Sequence, residues 1–222
     1  MQCVEACPTK AIHLQKSKLL KIELDKCIGC RACADICTAG TIIAGATRSG
    51  SRSKKNLLLD ARGENLELGH KNGDKGKAAE LKAITKLKGT IKLFARSVSA
   101  REVDCGSCNA CELEIAALSN PVYDAERFGI HIVASPRHAD ALLVTGPVTR
   151  HMELALRKTD AATPTPKLVI AVGTCACSGG LFAESPVANN GAGSILKVDY
   201  YIPGCPPSPR SILKSIAELR NI

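Results

Sequence analysis

The 222-residue sequence predicts an α/β chain, with a doubly wound, open parallel sheet in its C-terminal half and a small α+β module at its start. Three observations predict it. From residue 101 onward short apolar runs alternate with helical stretches, the pattern of a parallel sheet covered on both faces. Before residue 45, two short alternating runs lie beside a dense cysteine spacing, as in a small hairpin module. Between the two lies a basic stretch rich in Gly, Ser and Lys with no sustained period. The expected units are residues 1–44, a basic linker at 45–96 with one short helix, and residues 97–222.

Composition narrows the function. At 45% hydrophobic and 23% charged the chain can bury an ordinary core. Twelve cysteines stand beside six aromatic residues and no tryptophan, which argues against stacking on nucleobases, so no nucleic-acid partner is expected. No apolar run approaches the roughly 18–20 residues of a membrane span. The opening MQCVEACPTK has neither a secretory apolar region nor a twin-arginine signal. In a cytoplasmic chain this many thiols read first as metal or redox chemistry. The net charge of +9 is concentrated at 41–100, with thirteen basic residues against five acidic ones. That stretch reads as a solvated tether. The sharper alternative is a basic surface for an acidic partner subunit or anionic lipid, with weak lipid attachment at best.

In the front unit, residues 11–15 and 19–23 alternate as short hairpin strands. Cys27, Cys30, Cys33 and Cys37 then follow as C-x2-C-x2-C-x3-C. Gly29 permits a tight turn, so three closely spaced thiolates can grip three corners of a cube, while the fourth lies too far round. Upstream, Cys3 and Cys7-Pro8 match only the second half of the same run, with Met1 where an internal residue belongs. The chain as given is therefore expected to start late. Residues 1–44 resemble the two-cluster bacterial ferredoxin domain, which implies a ferredoxin-like fold and crossed ligation. Cys7, Cys27, Cys30 and Cys33 would hold one [4Fe–4S] cluster. Cys3 and Cys37 would be half of a second that cannot close, a third cluster overall if the N-terminus is extended. Thr38 stands where that family usually has proline.

In the middle, residues 77–88 place Leu81, Ile84 and Leu87 on one face of a modest helix, and residues 90–104 suggest one or two strands. Further on, 129–135, 141–145 and 167–172 are buried strands and 151–158 a helix. Ser208 and Pro209 open the last helix as N-cap and first residue. The other cysteines fall in loops after strands: Cys105, Cys108 and Cys111; then Cys175 and Cys177; then Cys205. Ligands gather at such strand ends.

Together Cys105-Gly-Ser-Cys108-Asn-Ala-Cys111-Glu, Gly173-Thr-Cys175-Ala with Gly179-Gly180, and Pro203-Gly-Cys205-Pro-Pro resemble the small subunit of energy-converting [NiFe] hydrogenases, a family shared with the 20-kDa subunit of complex I. The resemblance implies a flavodoxin-like domain with Cys108, Cys111, Cys175 and Cys205 around a [4Fe–4S] cluster. Complex I subunits place two adjacent cysteines in the first motif. Cys108-x2-Cys111 therefore resembles the hydrogenase side, the formate-hydrogenlyase type in particular. Cys105 and Cys177 are surplus, read as neighbouring or packing thiols.

The five histidines show no ligand spacing. Glu112 and Glu114 suit the opening of a helix, with proton handling near a cluster as the alternative. The 173–180 loop lacks the pattern of a phosphate cradle. The expected role is an electron-transfer subunit with two complete [4Fe–4S] clusters, not catalytic alone. Its expected partners are a [NiFe] hydrogenase large subunit, or a complex I 49-kDa-like subunit, together with membrane-arm subunits. It would sit peripherally on the cytoplasmic face of the inner membrane. Three alternatives stand beside this: an electron carrier of the NADH-quinone oxidoreductase (complex I) kind, a zinc-stapled basic binding protein, and a truncated, inactive fragment.

Overall fold

The computed structural model describes residues 2–14, 20–40, 42, 50–51, 53–59 and 96–220. In chain order the front unit contains α1 (Gln2–Glu5), β1 (Ile12–Leu14), β2 (Leu20–Glu23), α2 (Ala32–Asp35) and β3 (Leu58–Leu59). The back unit contains β4 (Val98–Asp104), α3 (Ala110–Ala116), β5 (Ile130–Ile132), β6 (Ala141–Thr145), α4 (Arg150–Ala162), β7 (Leu168–Val172), α5 (Thr174–Ser178), β8 (Tyr200–Ile202) and α6 (Pro209–Arg220). The helix expected at 77–88 lies outside the described residues. Among those described, no helix is long and apolar enough to cross a membrane.

The back sheet runs β5-β4-β6-β7-β8, every pairing parallel. Counted from β4 this is the 2-1-3-4-5 order of flavodoxin-like sheets, with the change of winding direction between β4 and β6. The all-apolar runs of β6 and β7 arise because both faces are covered: every residue of each is buried. On one face Ala141, Leu143, Leu168, Ile170 and Val172 pack against Ile115 of α3 and Ile212, Ile216 and Leu219 of α6. On the other, Leu142, Val144, Val169 and Ala171 pack against Leu156 of α4 and Ala176 of α5. Two such layers bring the carboxyl ends of β4, β6, β7 and β8 to one side.

The helix boundaries follow side-chain capping. Ser208 Oγ accepts the Ser211 N–H at 3.3 Å, so α6 begins as its sequence predicts. Helix α4 runs a turn past the expected 158. Thr159 Oγ1 donates to the Ala155 carbonyl and Thr163 Oγ1 to that of Thr159, each at 2.9 Å. These hydroxyls bond back along the helix, so the end carries no apolar periodicity to betray it.

The described part of the basic stretch ties the two units together. Ser51 exchanges both main-chain hydrogen bonds with Tyr201 of β8, at 2.8 and 2.7 Å. Gly50 N–H donates to Ser215 Oγ of α6 at 2.8 Å. A few residues on, Lys54 Nζ sits 5.4 Å from the Tyr201 ring centroid, Leu57 is buried, and β3 pairs with β2 as a third strand of the front hairpin. Residues 50–51 and 53–59 thus form a strap between the two sheets. A Cβ on Gly50 would run into the Tyr200 ring and lie 2.5 Å from the Tyr201 carbonyl oxygen. Gly50→Ala is therefore expected to cost about 1–3 kcal/mol through overpacking. It should speed proteolytic cleavage near residue 50 while leaving 97–220 intact, which limited proteolysis with mass readout checks.

Candidate metal centre

Three strand ends supply the back thiols. At the end of β4, Asp104 Oδ1 accepts the N–H groups of Gly106 and Ser107 at 2.9 and 2.8 Å, and Ser107 Oγ accepts that of Asn109 at 3.0 Å. Asn109, at φ 69°, then turns the chain into α3. This series of side-chain-capped turns lifts Cys108 above the sheet and sets Cys111 in the first turn of α3. After β7, Gly173 lies at φ 91°, ψ 155°, a region open essentially to glycine alone, and starts α5 with Cys175 as its second residue. After β8, Gly204 leads into Cys205. The ends of β7 and β8 are joined by Gly173 N–H to the Ile202 carbonyl and Thr174 N–H to the Gly204 carbonyl, both 2.8 Å.

These thiols act on one another. Burial pushes Cys111 up to about 12, helped by the neighbouring Glu112 carboxylate and by Cys175, Cys205 and Cys108. Cys175 rises to about 11 through burial, then Cys205, Cys108 and Glu112. Cys205 is raised by burial and then by Cys108 and Cys27. A Cβ on Gly173 would lie 2.5 Å from Cys111 Sγ, and one on Gly180 would lie 3.3 Å from Cys175 Sγ. The two glycines therefore leave room where any side chain would press on a thiol.

Half-buried Cys111 and Cys175, with exposed Cys205 also raised and exposed Cys108 beside them, become a stable set of thiolates only where cations neutralise them. This donor set fits an iron–sulfur cube. Each thiol gives up its proton on binding iron, so assembly is favoured as pH rises. Among the described residues no three His, Cys, Asp or Glu side chains are grouped to hold a single metal ion, which lends the zinc reading no support. A cube has its irons at separate corners and takes thiols that stand further apart.

The surplus cysteines are placed differently. Cys105 and Cys177 are fully buried in the layer under α4 and α5. Cys177 Sγ donates to the carbonyls of Ala171 and Ile202 at 3.8 and 3.7 Å. Burial first and then Asp104, Glu102 and Glu112 push Cys105 up to about 12. Both Glu112 carboxylate oxygens are buried with no hydrogen-bond partner among the described residues, directly beside Cys111.

In the front unit, Gly29 and Arg31, at φ 68° and 66°, curl the loop that carries Cys27, Cys30 and Cys33. Cys27 is raised by burial, against a lowering hydrogen bond from the Gly29 backbone, and further by Cys7 and Cys30. Cys33 is raised by burial and then by Cys27 and Cys30, while the N–H groups of Cys33 and Ala34 favour its thiolate. Cys7 Sγ accepts the Ala11 N–H at 3.2 Å. Cys7, Cys27, Cys30 and Cys33 thus form one group. Cys3 lies in α1 and Cys37 just beyond α2, two helices packed on each other.

Sequence reasoning missed how the groups meet. Thr174 Oγ1 donates to the Cys27 carbonyl at 2.9 Å, and Ser178 Oγ to the Asp25 carbonyl at 2.7 Å. The front loop therefore rests on α5, the helix that carries Cys175. The available signal was a pair of hydroxyls four residues apart, flanking that cysteine on one helix face.

The family described as the NADH ubiquinone oxidoreductase 20-kDa subunit matches residues 108–219, and the 4Fe-4S dicluster domain matches residues 1–41. A probable membrane-bound hydrogenase subunit of Pyrococcus furiosus is 49% identical over 56% of this chain and 75% of its own length. Formate hydrogenlyase subunit 7 of Escherichia coli is 48% identical over 57% of this chain. Subunit K 2 of an NAD(P)H-quinone oxidoreductase of Cyanothece is 45% identical over 50% of it. The matched part spans 50% and 43% of those last two proteins.

Proposed function

Because the chain belongs to the family of the 20-kDa subunit of NADH ubiquinone oxidoreductase, we propose that it is an iron–sulfur electron-transfer subunit of a membrane-associated [NiFe] hydrogenase complex of the formate-hydrogenlyase kind. The observation that supports this reading is the electrostatic effect of Cys108 on Cys111, Cys175 and Cys205, thiols carried by three strand ends. Cys7, Cys27, Cys30 and Cys33 hold a second centre. A [4Fe–4S] cube at each site takes up or gives back one electron at a time.

The chain's own residues do the rest. The four back thiolates enter through the open side of the sheet, where βα loops face a partner. Gly173 and Gly180 let the backbone come close to Cys111 and Cys175. The strap at 50–59 fixes the front unit against β8. Hydrogen chemistry belongs to a nickel-bearing large subunit, and membrane-arm partners hold the assembly at the cytoplasmic face of the inner membrane. The Cyanothece relative favours a second reading, in which the partner reduces quinone. The Cys108-x2-Cys111 spacing favours the first.

Anaerobic purification followed by iron, sulfide and zinc analysis and EPR tests the reading. Two [4Fe–4S] signals are expected, with hydrogen turnover only after the large subunit is added. A colourless, zinc-containing chain, or hydrogen evolution by the chain alone, overturns it.

A further inference from the structure

We infer that α5 is the electron junction between the two thiol groups, and that Thr174 is its positioning residue. This deepens the reading above and rests on it.

Thr174 is buried at 1% exposure, and its hydroxyl touches all three relevant segments. It donates to the Cys27 carbonyl at 2.9 Å and shares the same proton with the Gly204 carbonyl at 3.1 Å. Through its own peptide bond it is joined to Cys175. Gly204 is likewise joined to Cys205. One side chain therefore connects a front thiolate to two back thiolates, with one hydrogen bond on the path to Cys175 and two on the path to Cys205.

Electron tunnelling weakens more steeply across unbridged gaps than along bonds, and the Thr174 hydroxyl supplies a bridged route between Cys27 and Cys175. Ser178, one helical turn on, donates to the Asp25 carbonyl at 2.7 Å and to the Thr174 carbonyl at 3.2 Å. It clamps the same loop but lies on no bonded route between cysteines of the two groups that is as short. Thr174 and Ser178 thus separate two roles, conducting and docking. The junction passes one electron per event, lost at the front site and gained at the back site or the reverse. No bond is broken and no proton moves.

The test uses the full chain carrying both centres. Thr174→Val removes the hydroxyl and keeps the branched shape, Thr174→Ser keeps the hydroxyl, and Ser178→Ala removes only the second clamp. Each protein is first checked for iron, sulfide and both EPR signals. One-electron re-equilibration between the sites is then followed after flash reduction. The magnetic splitting between the two reduced centres is recorded as well. Thr174→Val is expected to slow re-equilibration severalfold. The splitting should shrink with it, while Thr174→Ser and Ser178→Ala stay close to the parent.

An unchanged rate in Thr174→Val with both centres present overturns the inference, and so does equal slowing in Ser178→Ala, which would reduce Thr174 to a docking contact. If Thr174→Val fails to load the back site, Thr174→Ala is measured in its place. Failure of both to load overturns the inference too, since the hydroxyl would then serve to build the site. Absence of two signals in the unsubstituted chain is a different result, and defeats the proposed function itself.

Discussion

Serine at any one of positions 108, 111, 175 or 205 is expected to remove one iron–sulfur centre and spare the other, so that iron and sulfide per chain fall by about half. These thiols come from three strand ends, and Cys108 is among the groups that raise each of the other three. The spare thiols nearest in sequence, Cys177 and Cys105, are both fully buried. Cys105→Ala and Cys177→Ala should leave iron unchanged and cost about 1 kcal/mol each in packing. Anaerobic iron and sulfide analysis of the six variants, with EPR to identify the surviving centre, distinguishes the two sets. Loss of iron on replacing Cys105, or its retention on replacing Cys175, would falsify the assignment.

Gly173→Ala is expected to be nearly as damaging, although no ligand is touched. The position combines φ 91° and ψ 155° with a sulfur 2.5 Å from where a Cβ would stand. The backbone strain alone costs about 1–3 kcal/mol, and the methyl group must also push Cys111 away from the other thiols. The back centre should be lost while the front signal persists, and the melting temperature should drop. Gly180→Ala provides the graded comparison. Its φ is 54° and its Cβ would lie 3.3 Å from Cys175 Sγ, a contact that a small shift relieves. Partial iron occupancy is the expected outcome there. Full occupancy in Gly173→Ala would show that Cys111 has freedom the packing does not suggest.

The sheet was legible because its signals are apolar and local. The run at 141–145 is β6 residue for residue, and Ser208-Pro209 opens α6 where capping chemistry places it. The front hairpin pairs Ile12 with Ile22 and Leu14 with Leu20, as the two alternating runs suggest. The strap was not legible. Gly50 and Ser51 act through main-chain bonds and through the lack of a side chain, and neither property leaves a periodic trace. Composition alone therefore gave no sign of the contacts made by residues 50, 51 and 53–59. The same blindness hid Thr174 and Ser178, whose hydroxyls donate to carbonyls almost 150 positions away. The cysteine spacings offered candidate donors, but the order in which their loops converge came from the 2-1-3-4-5 winding.

Both main-chain groups of Tyr201 are already bonded to Ser51, and this bears on how neighbours attach. β8 is a terminal strand of its sheet, the place where an incoming chain could zip on by backbone pairing. At the opposite margin β5 is only three residues long. Sheet extension thus finds one margin obstructed at its middle and the other too brief to template much. Recruitment into a larger machine must then rely on side-chain shape around the βα loops rather than on shared strands. That arrangement also guards the free polypeptide against stacking with its own copies while it awaits assembly.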